Sequence, residues 1–117
     1  MIEVLDKELK ISVLVLDNNP NAYYLSYKND TKCVIDTMYD RDNIIIIPDP
    51  KDDCTVEELN IIINRFSDYI FKIKPEIKGI LFKTDPQPSL DNIGFKLLSE
   101  DSEYLYKENN KRINKVR

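Results

Sequence analysis

The 117-residue sequence has no histidine and no tryptophan, and only two glycines and two cysteines. Cys33 and Cys54 have no C-x-x-C spacing, and with no histidine to join them neither a structural zinc site nor a Cys-His nucleophile can be assembled. No apolar run approaches the roughly 20 residues that a membrane-spanning helix needs. The start of the chain also lacks a basic segment followed by an apolar one. The expectation is a cytoplasmic protein with reduced thiols, free of membrane contact. There are no internal repeats and no Gly/Ser-rich or Pro-rich linker.

What is present describes an ordered domain. Hydrophobic residues make up 42% and charged residues 32% of the chain, a balance that supports a packed core rather than disorder. A chain of this length buries about two thirds of its unfolded surface as one unit. Residues 1–107 are read as one α+β domain and residues 108–117 as a basic tail. The formal charge of −4 is unevenly spread. Residues 107–117 hold five of the 17 basic residues and one of the 21 acids, a net of +4, which leaves the rest at −8. An acidic body repels phosphates, so direct nucleic-acid binding is not expected outside the tail. The abundance of Ile, Asn, Lys and Asp matches the coding bias of an AT-rich genome, such as that of a low-GC bacterium or its phage.

The order of elements follows from periodicity and turn chemistry. Ile11-Ser12-Val13-Leu14-Val15-Leu16 reads as a strand ending at the turn-forming cluster Asp17-Asn18-Asn19-Pro20-Asn21. Residues 22–28 and 32–37 read as two more strands separated by Asn29-Asp30, and such short turns make neighbours antiparallel. On the second of these, Tyr23, Leu25 and Tyr27 share one face. Ile44-Ile45-Ile46-Ile47 does not alternate, which predicts a central strand buried on both faces.

Thr55-Val56-Glu57-Glu58 has the capping-box spacing, and Leu59, Ile62, Ile63, Phe66 and Ile70 recur every three or four residues. The prediction is a long helix over residues 55–72, ended by Lys74-Pro75. Residues 78–84 read as a strand parallel to the one before the helix, joined by a right-handed crossover. A short irregular piece follows, and residues 95–98 and 103–107 form a closing hairpin. The sheet is thus mixed but mostly antiparallel.

This succession, with Ile93-Gly94-Phe95-Lys96-Leu97-Leu98-Ser99-Glu100 and Tyr104-Leu105-Tyr106 at its end, resembles the GNAT acetyltransferase family over residues 10–107. The resemblance implies a GNAT-like topology and, in an active member, an acyl-CoA pyrophosphate wrapped by a glycine-containing loop after the central strand. Glycine admits close backbone approach there, and the helix start attracts anions. The matching stretch here, Pro48-Asp49-Pro50-Lys51-Asp52-Asp53-Cys54-Thr55-Val56-Glu57-Glu58, has no glycine, two prolines and five acids against one lysine. The position of the family's general-acid tyrosine falls on Leu90.

A cofactor-free protein that acts by binding another protein is therefore expected, without catalytic or metal-ligating residues. The acids at the corner do not follow a calcium-loop spacing and suit the start of a helix dipole. The candidate partner-binding residues are Asp49, Asp52, Asp53 and Glu57 together with Tyr23, Tyr27, Tyr104 and Tyr106, because tyrosine gives large contact area at low entropic cost. A virion or tail-assembly subunit, or an inhibitor of a host nucleic-acid enzyme, fits this class, and a virion location goes with the first. The alternative is an atypical N-acyltransferase that holds acyl-CoA by another loop.

Overall fold

The structure is a computed structural model that describes residues 1–83, 95–97 and 104–110. Five strands come first: β1 (Ile2–Asp6), β2 (Ile11–Leu16), β3 (Asn19–Tyr27), β4 (Asp30–Asp40) and β5 (Asn43–Pro50). Helix α1 (Val56–Ile73) follows, then β6 (Gly79–Lys83), β7 (Lys96–Leu97) and β8 (Tyr104–Glu108). Together the strands make one sheet in the order β1-β2-β3-β4-β5-β6-β8-β7. Among the described strands only β5 and β6 run parallel, and α1 is the crossover between them. The chain is thus an α+β fold with a mostly antiparallel sheet, as the alternation and turn signals predict. The irregular piece at residues 84–94 and the turn of the closing hairpin lie outside the described residues.

The hairpins are set by their turns. Tyr27 pairs with Asp30, so the two linking residues are Lys28 and Asn29, one position earlier than the Asn29-Asp30 turn read from the sequence. Both have positive φ, 54° and 74°, as a type I′ turn requires to match strand twist. β5 also departs from expectation, because it runs on through Pro48 and Pro50 instead of stopping before them. Its pairing with β4 continues to Pro50, whereas β6 pairs only with Asn43–Ile46. Two prolines spaced by two residues remove donors from the same side of a strand, and here that fits the side left without a ladder partner.

Helix α1 covers one face of the sheet. Its buried residues are Ile62, Ile63, Phe66, Ser67, Ile70 and Phe71. They meet Ile11, Val13, Tyr23, Leu25, Ile35, Ile44, Ile46, Ile80 and Phe82 in a single core. Ser67 is tolerated inside because its hydroxyl donates to the Ile63 carbonyl at 2.7 Å, one turn back. Tyr23 stands edge-on to Phe66 with ring centroids 5.1 Å apart, and Phe82 meets Phe95 the same way at 6.1 Å.

β5 is not buried on both faces, which corrects the reading of its isoleucine run. Ile44 and Ile46 are 1% and 0% exposed, whereas Ile45 is half-buried and Ile47 is 41% exposed. The run lacks alternation because both faces of this sheet carry apolar side chains, although α1 covers only one.

Two connections outside the ladders close the unit. The side-chain amide of Asn109 donates to the Ile77 and Pro75 carbonyls at 2.9 and 3.2 Å, and its backbone N–H donates to Lys78 O at 2.8 Å. The folded unit therefore includes Glu108 and Asn109, which the sequence reading assigns to the tail. At Gly79, a Cβ would overlap the ring of Tyr106, the diagonal cross-strand neighbour, so the absent side chain is what admits the tyrosine. Among the described residues no helix is long and apolar enough to cross a membrane.

Two outcomes follow for stability. Gly79→Ala is expected to cost about 1–3 kcal/mol by overpacking, and the cost should shrink when Tyr106→Ala is added, as a double-mutant cycle in urea would report. Replacing Lys28-Asn29 by Asn-Gly should instead raise the unfolding free energy by about 0.5–1 kcal/mol, because glycine and asparagine accept positive φ with less strain than lysine. An unchanged denaturation midpoint would contradict the turn assignment.

Candidate interaction surface

The registers assign each strand residue to a face. On the side away from α1, Ile2, Leu14, Tyr24, Val34 and Asp49 form one row across β1 to β5. Ala22, Asp36 and Ile47 form a second row. Met38, Ile45, Leu81 and Tyr106 form a third across β4, β5, β6 and β8. The mean step between strands is about 4.8 Å, so the rows build a continuous apolar face. Among the described residues no helix lies on it.

Its centre is not uniformly exposed. Ala22 and Leu81 are buried, and Leu14, Tyr24, Val34 and Ile45 are half-buried. The exposed part lies at two places: Ile2 (66%) and Val4 (55%) on β1, and Met38 (53%) and Ile47 (41%) on β4 and β5. Scattered apolar side chains on a surface are ordinary, but these belong to connected rows and share one side of a sheet. Asp36, Asp40 and Asp49 stand exposed among them.

The eight residues singled out from sequence divide into three places. Tyr23 and Tyr27 are 5% and 7% exposed and belong to the core beneath α1, so they present no surface to a partner. Tyr104 and Tyr106 are half-buried on β8, on the other face, with Tyr106 laid over Gly79. The tyrosines therefore do not form one platform. Asp49, Asp52 and Asp53 do come together, around a shallow depression that Val34, Pro50 and Lys51 complete. Glu57 is exposed in the first turn of α1 just beyond it.

That corner is internally satisfied. The Glu58 backbone N–H donates to Thr55 Oγ1 at 3.1 Å, and the Thr55 N–H donates to Glu58 Oε1 at 3.0 Å, the reciprocal capping box. Lys32 lies 3.2 Å from the Asp53 carboxylate and 3.7 Å from Glu58. Lys32 reaches them because it is the extra residue of a bulge, where β3 steps from Leu25 to Ser26 while β4 steps from Cys33 to Thr31. Its pKa is raised, first by its hydrogen bond to Asp53. Among the described residues no three His, Cys, Asp or Glu side chains gather at metal-ligating distance.

The thiols are similarly quiet. Burial pushes the Cys33 thiol up to about 12, and burial followed by the nearby Glu58 carboxylate raises Cys54. Neither is a ready thiolate at neutral pH.

No protein-family model, curated protein or solved structure matches the chain. A second candidate surface is the cleft between β1 and α1, lined by Glu3, Leu5, Tyr69 and Phe71 and crossed by the Asp6–Arg65 ion pair at 2.9 Å. The Arg65 Nε hydrogen is not directed at the carboxylate, so this contact is electrostatic rather than a hydrogen bond. A register shift between Val4 and Asp6 bends the β1 edge, a feature that discourages a further strand from pairing there.

Sequence reasoning missed the exposed side of this surface because it begins at β1, a strand the sequence reading leaves unassigned. A signal was nevertheless present. Val13-Leu14, Tyr24-Leu25, Val34-Ile35 and the isoleucine run all place apolar residues at adjacent positions, which point to opposite faces of a strand.

The capping box gives a test with a worked sign. Glu58 has a pKa below the ordinary carboxylate value, first because the Thr55 N–H donates to it; burial opposes this, and the nearby Lys32 adds to the lowering. A lowered folded pKa contributes stability that is present above the unfolded value and lost as pH falls through the folded one. Thr55→Ala should cost about 1 kcal/mol at neutral pH. Glu58→Gln should flatten the decline of stability below about pH 5; urea midpoints measured across that range read both effects.

Proposed function

We propose that the chain acts without catalysis, by binding another protein through the sheet face that α1 leaves uncovered. The observation that carries this reading is the set of connected apolar rows on that face, with Ile2, Val4, Met38 and Ile47 exposed at its ends. An isolated domain gains nothing from holding four large apolar side chains in water, whereas an interface gains roughly 25 cal/mol for each Å² of apolar surface it removes. The −8 body outside the basic end keeps the free protein dispersed while that face waits for its partner. A structural role in a phage or mobile-element assembly and inhibition of a host nucleic-acid enzyme both belong to this class.

The atypical N-acyltransferase is the second reading. Supporting it is the order of elements, an antiparallel meander followed by strand β5, helix α1, parallel strand β6 and a closing β7/β8 hairpin, the order on which the GNAT resemblance rests. Weighing against it is the start of α1. There the amides at Thr55 and Glu58 already donate to the chain's own side chains, and acids line the approach. A pyrophosphate would meet occupied donors and like charge.

Affinity capture from the native host should retrieve a defined protein with the wild-type chain and lose it with Ile47→Lys, while Glu8→Gln on the opposite end retains it. A capture pattern indifferent to Ile47→Lys, or no partner at all, would overturn the binding reading. Calorimetry with acetyl-CoA and CoA addresses the enzyme reading, for which micromolar binding is the required result and an absence of heat is the expected one.

A further inference from the structure

Among the described residues, the charged side chains that alternate onto the uncovered face over β1 to β5 outside the Lys32 bulge are the acids Asp36, Asp40 and Asp49, whereas Lys96 joins its third row only at β7, and this narrows what can occupy the β1–β5 part. We infer that its occupant is a cationic amphipathic helix of a partner protein, lying across β1 to β5 with its apolar stripe on the Leu14–Tyr24–Val34 row and its lysines or arginines opposite Asp36, Asp40 and Asp49. The inference rests on the protein-binding reading and makes it specific.

Three observations lead to it. First, the acids are interspersed with the apolar rows. Asp36 lies between Ala22 and Ile47 in one row, Asp49 ends another beside Val34, and Asp40 lies at the hairpin end beyond Met38. All three are exposed. Lys32, the nearest cation on β4, does not neutralise them, because it is held at the α1 start by Asp53 and Glu58.

Second, a helix is the element that covers such a face. Sheets in mixed folds bury an apolar side beneath helices, and α1 already does this on the opposite side. Its 18 residues span about 27 Å at 1.5 Å per residue, enough to cross five strands at about 4.8 Å spacing. A partner helix of similar length would complete a second layer of the same dimensions.

Third, charge argues against the simplest competitor. Two copies stacked through the β1–β5 part of this face would bury Asp36, Asp40 and Asp49 of both without a described counter-charge among them, and like charges at an interface suppress association. A basic helix turns those same acids into attraction. Such a helix is held by its apolar stripe and oriented by its charges, the groove-binding mode in which spacing of three and four residues supplies the anchors.

The test uses the full chain and a synthetic fluorescent peptide of about 18 residues with leucines at helical spacing and lysines on the flanking positions. Two further peptides serve as comparisons, one with the same composition scrambled and one with glutamate in place of lysine. Saturable binding of the first peptide is expected by fluorescence anisotropy at low salt, weakened several-fold by raising ionic strength to about 0.5 M. Binding should also fall roughly tenfold in Asp36→Asn/Asp40→Asn/Asp49→Asn. That triple variant preserves side-chain size at exposed positions, so it separates charge from folding. Met38→Lys/Ile47→Lys should abolish binding, with circular dichroism checking that the variant is folded, and Glu8→Gln should leave it unchanged.

The inference is overturned if the peptide shows no binding at millimolar concentration, if the scrambled or glutamate peptide binds as well, or if the triple asparagine variant binds like wild type. Sedimentation showing a wild-type dimer that Met38→Lys/Ile47→Lys separates would also overturn it, naming a second copy as the occupant while leaving the protein-binding reading standing. Tighter peptide binding after deletion of residues 111–117 would overturn it as well, since the chain's own basic end would then compete for the face. Loss of both peptide binding and any Ile47-dependent capture would remove the broader reading too.

Discussion

One helix packed on one side of an eight-stranded sheet is the constraint from which the rest of this structure follows. The chain has enough strands to make two large faces and, among its described residues, one helix to cover them. The choice of face is set by where the largest side chains gather. Phe66, Ile62, Ile63 and Ile70 meet Tyr23, Leu25, Ile35, Ile46 and Phe82 and exclude water completely from most of these positions. At roughly 2 kcal/mol for each fully buried large apolar side chain, this cluster dominates the stability of the domain. The opposite face contributes less, because its rows are only partly shielded. Its apolar side chains nevertheless lie on the same strands, paired in the same registers, and the fold cannot retain one set without displaying the other.

The helix owes its place to local features that reinforce the packing. Thr55 and Glu58 close its first turn, the acidic residues Glu57 and Glu58 suit the positive end of its dipole, and Lys72 lies in the last turn. At its far end the Lys74 N–H still bonds to the Ile70 carbonyl, and then Pro75 stops further winding. Asn109 seizes the carbonyls just beyond, at Pro75 and Ile77, and thereby ties the exit of the helix to the end of β8. Position 109 thus acts as a clasp between segments far apart in sequence. A residue that the charge pattern would place in a solvated tail donates three hydrogen bonds to the segment between α1 and β6.

How much of this could be read beforehand depended on whether the deciding interaction was local. The α1 stripe, its cap and its proline stop depend on residues within a few positions of one another, and these features and the α+β order of elements were legible in the sequence. The Tyr23–Leu25–Tyr27 face was legible as well, since period-two alternation is a local property. What escaped was set by distant partners. Gly79 looks like any strand-breaking glycine until Tyr106 is seen across from it, and Lys32 looks solvated until the bulge swings it to Asp53. β1 was missed because the short segment Ile2-Glu3-Val4-Leu5-Asp6 gains its strand character from pairing with β2. The candidate tyrosines illustrate the same limit: residue type proposes an interface, but only the third dimension assigns Tyr23 to the core and Tyr106 to a gap above a glycine.

The Ile44–Ile47 run shows why the uncovered face has the character it does. A strand covered by helices on both sides wants unbroken apolar sequence, and a strand exposed on one side wants alternation; β5 has the sequence of the first and the surroundings of the second. Left uncorrected, that mismatch would make the face an invitation to indiscriminate association. Asp36, Asp40 and Asp49 change the outcome. An acid beside Ile47, one beside Val34 and one beyond Met38 cost little in the free protein, where water solvates them, and cost much under any neutral or acidic surface that would strip that water away without offering a counter-charge. Indiscriminate hydrophobic contact is therefore penalised at the very positions where it would be strongest. Under the proposed binding reading the acids do not oppose the apolar rows; they would make binding selective, because the surfaces that can shed water from Met38 and Ile47 without stranding a buried carboxylate are those that bring positive charge with them.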